Sequence, residues 1–197
     1  MGSLGEGYVH HQGCDHIFFI GFLGAGKSTL ARNLGRLFCR GYVDTDRLVE
    51  RNFGKCVCDI FEQDGEEAFR DAETEVLRSL KGRKSLLVSC GGGIVERPGN
   101  AQLMHEMGKV VYLDGDLEDS LKKIRHTEGR PDLGCCMKDT KACYERRRPL
   151  YEKTADYTLD IHNKSFQEVA DAAAQLTVLL ERHKATCLCR RELIGQR

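Results

Sequence analysis

The chain has no net charge, no apolar run long enough to cross a bilayer and no Cys-x-x-Cys pair, and each absence removes a class of function. Thirty Lys and Arg balance thirty Asp and Glu, so no global basic field points to nucleic acid or to an anionic membrane. No stretch approaches the roughly 20 apolar residues that span a bilayer. The opening MGSLGEGYVHHQGCDH has neither a basic n-region nor an apolar h-region. The expectation is a cytoplasmic protein with neither nucleic acid nor membrane as a partner. Cysteines stand at 14, 39, 56, 58, 90, 135, 136, 143, 187 and 189, and without a Cys-x-x-Cys pair the usual zinc-knuckle spacing is missing. An oxidised framework is unusual in a chain that can hold itself together by burial, so reduced thiols are expected.

At 197 residues and 41% hydrophobic composition, the chain has the size and the apolar content of one ordinary domain. HIFFIG, residues 16–21, suits a buried strand feeding a glycine turn, and the apolar period of Leu30, Ala31, Leu34, Leu37 and Phe38 predicts a helix over 28–38. YVDTD is a brief second strand ending in carboxylates. Asp64 with Glu67 resembles a capping box for a helix whose stripe is Phe69, Ala72, Val76 and Leu80. SLLVSC, KVVYLD and YTLDI supply three more strands with helical patterns between them, the last on Phe166, Val169, Ala173, Leu176 and Leu180. Alternating strands and helices imply a parallel sheet covered on both faces. The expected divisions are an N-terminal tail over 1–15, one domain over 16–183 with a mobile excursion near 128–143, and a C-terminal tail over 184–197.

GFLGAGKST fits G-x-x-x-x-G-K-S/T through Gly21, Gly26, Lys27 and Ser28, in the strand-turn-helix frame that the mechanism requires. Gly24, Ala25 and Gly26 would curl backbone N–H groups around phosphate oxygens, helped by the positive end of the helix. Lys27 would supply a mobile cation for the β and γ phosphates of a nucleoside triphosphate, and Ser28 a hydroxyl for Mg²⁺. Asp44 and Asp46 would share a face if the second strand continued through them, one serving the water shell of the ion and the other the acceptor hydroxyl. Alternatively, one of them caps the helix beginning near Arg47. Arg70 and Glu73 share a helix face, which also fits a surface ion pair. Of Arg146, Arg147 and Arg148, at most one or two can aim inward, and an exposed basic run would look the same. Gly91, Gly92 and Gly93 end the third strand, either as a turn or as bare backbone beside a ligand.

Taken in order, GFLGAGKST, DTD, Phe69-Arg70 to Glu73, GGG, the Arg130-Pro131 pair and Arg147 to Tyr151 resemble the shikimate kinase family from about residue 16 to residue 180. The resemblance implies a three-layer α/β/α fold of the nucleoside-monophosphate-kinase type, with a five-stranded parallel sheet in the order 2-3-1-4-5 and a lid. It implies transfer of the γ-phosphoryl of ATP to the 3-hydroxyl of shikimate, by a chain expected to be a monomer. Lys27, Asp46 and Arg130 would be catalytic. Gly24, Ala25, Gly26, Lys27, Ser28, Thr29, Lys123 and Arg130 would bind ATP, and Ser28 and Asp44 Mg²⁺. Asp46, Arg70, Glu73, Gly91, Gly92, Gly93 and Arg147 would bind shikimate, with Arg70 and Arg147 on its carboxylate. Lys123 stands where many members carry an arginine against adenine, and Asp132 puts a carboxylate beside the lid arginine. The competing functions are another small-molecule kinase with a phosphate loop, acting on gluconate or a nucleotide, and a non-catalytic regulator descended from the family.

Overall fold

The computed structural model describes the backbone of residues 15–125 and 137–194, and their side chains apart from 122–125, 137–139 and 182–194. Five strands, β1 (His16–Ile20), β2 (Gly41–Asp44), β3 (Leu86–Ser89), β4 (Gly108–Asp114) and β5 (Tyr157–Asp160), form one sheet in the order β2-β3-β1-β4-β5. Every pairing is parallel. Among the described residues, eight α-helices accompany them: α1 (Lys27–Leu37), α2 (Thr45–Phe53), α3 (Val57–Gln63), α4 (Gly65–Ser79), α5 (Pro98–Met107), α6 (Leu117–Arg125), α7 (Met137–Thr154) and α8 (Phe166–Ile194). None in the described residues is long and apolar enough to cross a membrane.

The near-continuous apolar character of the central strands follows from burial on both faces. Phe18 and Ile20 of β1, Val88 of β3 and Val110 and Tyr112 of β4 pack with Leu77, Leu80, Met104, Met107 and Tyr151 from α4, α5 and α7. On the opposite face Ile17, Phe19, Leu87, Val111 and Leu113 meet Leu30, Ala31 and Leu34 of α1 and Val169, Ala173 and Leu180 of α8. Neighbouring residues along each strand thus serve different layers, as the pleat requires. A smaller cluster of Val49, Ile60, Phe69 and Val76 binds α2, α3 and α4 together.

Three local expectations are corrected. The second strand does not continue through Asp46: β2 stops at Asp44, whose extended backbone (φ −119°, ψ 121°) makes it the N-cap of α2, its Oδ1 accepting from Arg47 N at 3.3 Å. The capping box at Asp64 does not form. Asp64 closes α3 as well as opening α4, so its backbone is helical (φ −110°, ψ −16°) rather than extended, and its carboxylate accepts from Lys55 Nζ at 2.8 Å instead. Finally, α3 itself, VCDIFEQ, is a helix that the apolar period did not announce, with Ile60 as its one fully buried residue. Among the described residues, Cys39, Cys56, Cys58, Cys90 and Cys143 form no disulfide, and α8 runs on to Ile194, into the residues expected to form a tail.

Candidate active site

β1 and β3 are neighbours, yet the chain leaving β1 enters α1 on one face while the chain leaving β3 leads to α5 on the other. This divergence opens a crevice at the carboxyl ends of the two strands, the place where open α/β sheets bind ligands. The phosphate-loop segment forms one wall. Gly21 has φ +142°, and a Cβ there would lie 2.8 Å from the Leu113 carbonyl oxygen of β4, so only glycine fits. Gly24 and Gly26 are also left-handed, at +80° and +85°, and Gly26 is the N-cap of α1. Lys27 is buried and donates from Nζ to the carbonyl oxygens of Gly21 at 2.8 Å and Phe22 at 2.9 Å, so its ammonium folds back over the loop. Ser28 Oγ lies 3.0 Å from Ser89 Oγ, and Ser89 is the register partner of Asp44 across β2 and β3. Tyr42 donates to Asp44 Oδ2 at 3.2 Å. Ala25 is buried and Thr29 is exposed on the outer side of α1.

Opposite this wall, three elements distant in sequence, α2, α4 and α7, converge on the three glycines. A Cβ on Gly91 would overlap Asp46 Oδ1 of α2 and lie 2.6 Å from Glu73 Oε1 of α4. The Gly91 N–H donates to the buried hydroxyl of Thr45 at 2.8 Å, which ties the segment to the first turn of α2. A Cβ on Gly93 would overlap the guanidinium of Arg70. Gly92 is different: a Cβ there would make ordinary contacts, 3.5 Å to Arg147 Nη1, 3.8 Å to Tyr151 Oη and 3.9 Å to the Gly21 carbonyl oxygen. Its face therefore looks onto both walls of the crevice. Tyr151 stacks on Tyr112 of β4 with ring centroids 5.3 Å apart and donates to the Gly92 carbonyl at 2.5 Å. One turn back on α7, Arg147 is thereby held on the crevice side.

The charges are paired densely. Arg70 donates from Nη1 to Glu73 Oε2 at 2.6 Å and from Nη2 to Glu66 Oε1 at 3.0 Å and Glu96 Oε2 at 2.8 Å. Arg147 Nη2 reaches the same Glu96 Oε2 at 3.0 Å, and Arg146 Nη2 reaches Oε1 at 2.8 Å. Burial works against the charge on Arg70, but Glu73, Glu96 and Glu66 overcome it and raise its pKa. Arg147 is raised in the same way, with Glu96 outweighing burial. Glu73 has no exposed side-chain surface; burial pushes its carboxyl up, against the opposing pull of Arg70. Its Oε1 and the Arg147 Nε are buried without a hydrogen-bond partner in the described residues, both beside the glycine segment.

The crevice thus brings together Gly24, Ala25, Gly26, Lys27, Ser28 and Asp44 on one wall and Asp46, Arg70, Glu73, Gly91, Gly92, Gly93 and Arg147 on the other. Arg130 and Asp132, with residues 128–136 of the expected lid, lie outside the described residues, as does the side chain of Lys123 on α6; residues 137–143 are the first turns of α7. Sequence patterns did not single out Thr45, Tyr151 or Glu96. Thr45 and Tyr151 sit inside recognised motifs without being singled out there, whereas Glu96 carries no local signal, because its partner Arg147 is 51 residues away.

A family model for shikimate kinase matches residues 23–177. A shikimate kinase of Cupriavidus pinatubonensis is 37% identical over 163 residues, covering 81% of this chain and 84% of that relative. One from Dehalococcoides mccartyi is 36% identical over 158 residues, covering 80% and 90%. Among solved structures, shikimate kinase from Acinetobacter baumannii in complex with shikimate superposes with a TM-score of 0.75 at 33% identity, covering 86% of this chain and 94% of that one. The enzyme from Aquifex aeolicus gives a TM-score of 0.71 at 30% identity, covering 86% and 98%.

Proposed function

We propose that this protein, which belongs to the shikimate kinase family, transfers the γ-phosphoryl group of ATP to the 3-hydroxyl of shikimate, giving shikimate 3-phosphate and ADP. The observation that carries the reading is the face of Gly92, which borders the phosphate loop at Gly21 on one side and Arg147 on the other, within about one atomic contact of each. A phosphate donor and a carboxylate-bearing acceptor can meet there.

In this reading Arg70 and Arg147 hold the acceptor carboxylate, a task suited to the planar guanidinium fork. Asp46, against Gly91, accepts a hydrogen bond from the attacking hydroxyl and takes its proton as the new P–O bond forms. Glu73 holds Arg70 by a buried pair and closes the pocket beside Asp46. Lys27 leaves the loop carbonyls for the β and γ phosphates, and the left-handed glycines present backbone N–H groups to them. The hydroxyls of Ser28 and Ser89 and the carboxylate of Asp44 are hard oxygen donors of the kind Mg²⁺ takes. Ser28 would hold the ion directly. Asp44, both of whose oxygens already accept hydrogen bonds, would act on its water shell. Such an ion supplies charge neutralisation at the phosphates. Arg130 and Lys123 are proposed to cover the phosphates and the adenine.

The test is coupled ADP release with shikimate, quinate, gluconate and AMP as acceptors. Turnover is expected with shikimate alone. Asp46→Asn should reduce kcat by about 10²-fold or more, in the range of a lost general base, and Arg70→Ala should raise KM for shikimate far more than KM for ATP. Phosphorylation of gluconate or AMP without shikimate would select the other small-molecule kinases. ATP binding with no turnover of any acceptor would select the non-catalytic regulator.

A further inference from the structure

The arginine pair that would hold the substrate carboxylate already holds a carboxylate of this chain. Glu96 Oε2 accepts from Arg70 Nη2 at 2.8 Å and from Arg147 Nη2 at 3.0 Å, bridging α4 and α7. Its other oxygen accepts from Arg146 at 2.8 Å. The side chain hangs from a short 3-10 turn, Ile94–Glu96, that directly follows the three glycines, and Ile94 and Val95 are buried, so the turn is anchored and the Glu96 side chain stands at its last position. Glu96 and Arg147 are 18% and 16% exposed, whereas Arg146 is 63% exposed. The side of the seat at Arg146 therefore borders solvent.

Arg70 divides its donors. Nη1 belongs to Glu73, whose side chain has no exposed surface, and Nη2 to Glu96 and the exposed Glu66. A ligand carboxylate that bridges Arg70 and Arg147 through their Nη2 atoms, as Glu96 does, must take the place of Glu96. Hydrogen bonds from Arg147 and Arg146 and the charge of Arg70 outweigh burial and hold the Glu96 carboxyl below the usual carboxylate range, so the seat is filled by an anion at neutral pH.

We infer that Glu96 is an internal stand-in for the substrate carboxylate and sets specificity by competition: an acceptor binds by displacing Glu96 outward toward Arg146, and a carboxylate restores the bridge between the two guanidinium groups that a neutral group would leave open. The inference rests on the reading of Arg70 and Arg147 as the carboxylate clamp. Two consequences separate Glu96 from a residue that merely orients those arginines. Removing its charge strengthens shikimate binding, whereas removing an orienting group weakens it. Both arginines also keep a counter-charge while the pocket is empty.

The experiment is calorimetric titration of shikimate, of its analogue with CH₂OH in place of the carboxylate, and of ATP into the full chain, in wild type, Glu96→Gln and Glu96→Ala. Shikimate Kd should fall about tenfold in both variants, the low end of what a charge-assisted hydrogen bond contributes once partial exposure is allowed for. ATP Kd should stay within about twofold, and the alcohol analogue should gain much less than shikimate. Two variants guard against a folding artefact, since unchanged ATP binding reports an intact phosphate loop in each. Shikimate binding in the wild type that is unchanged or weaker in both variants overturns this inference alone. No shikimate binding in the wild type overturns the functional reading, and this inference with it.

Discussion

Gly91 and Gly93 are glycines because of their neighbours rather than their backbone. Neither has a positive φ, but a Cβ on the first would overlap the Asp46 carboxylate and one on the second the Arg70 guanidinium. Replacement by alanine at either position must push a charged group from its place, a case of overpacking that costs about 1–3 kcal/mol. Gly92→Ala, by contrast, meets only ordinary contacts, the nearest 3.5 Å away. The three single alanine variants should therefore divide. Gly91→Ala and Gly93→Ala should lower Tm and activity together, whereas Gly92→Ala should keep the wild-type Tm and raise Kd for shikimate more than Kd for ATP. Equal losses for the two ligands in Gly92→Ala would return the segment to the status of a simple turn. The need for bare backbone at this point was legible from three glycines ending an apolar run. Which neighbour each glycine admits was not, because Asp46, Arg70 and Glu73 reach the segment only through the tertiary fold.

Among the elements, β1 carries a joint that the apolar pattern conceals. His16 begins the strand, is buried, donates from Nε2 to the Leu80 carbonyl at the end of α4 (3.2 Å), and accepts at Nδ1 from the Leu86 N–H at the start of β3 (3.1 Å). The two bonds require the neutral ring with its proton on Nε2; a second proton would face the Leu86 N–H. Burial lowers the His16 pKa from 6.5, the Leu80 carbonyl and Asp15 pulling the other way and Arg40 and Arg83 adding to the fall. A depressed folded-state pKa means that the contribution is present above pH 6.5 and is lost as pH drops through the folded value. Wild-type Tm should fall between pH 7.5 and pH 5 more steeply than that of His16→Phe, which should itself be less stable at pH 7.5 because two buried backbone groups lose their partner. Parallel slopes would show that the ring does not titrate against folding. The five strands were legible because each central one is an apolar run with a turn signal behind it, and α1, α4 and α8 because their stripes are long. Helix α3 was hidden because seven residues with one fully buried side chain make no period. The end of β2 was hidden because Asp-Thr-Asp continues a strand and caps a helix equally well in one dimension; the buried Thr45 hydroxyl, bonded to Gly91, decides between them.

At the scale of the whole molecule, the acceptor wall is assembled from α2, α4, the turn after β3 and α7, joined by polar contacts between residues as far apart as Glu96 and Arg147 or Gly92 and Tyr151. Its members are carried by the face of the sheet that includes α4, α5 and α7, while α8 and the outer end of the sheet at β5 take no part. A ligand that bridges Arg70 and Arg147 therefore couples separate elements, and binding free energy becomes stability of the whole domain. At one hundred times Kd this amounts to about 2.7 kcal/mol, and at about 2–4 °C per kcal/mol for a chain of this length the expected rise in Tm is about 5–11 °C. Hydrogen exchange should show where that stability is delivered: slower exchange across Glu66–Glu73, Gly91–Glu96 and Tyr144–Tyr151 when shikimate is added, with Tyr157–Asp160 of β5 and the exposed face of α8 unchanged. ATP should instead protect Gly21–Leu30. A shikimate-dependent rise in Tm with protection on β5 and α8 but none on Gly91–Glu96 would place the acceptor elsewhere on the molecule and dissolve the link between the glycine segment and the arginine clamp.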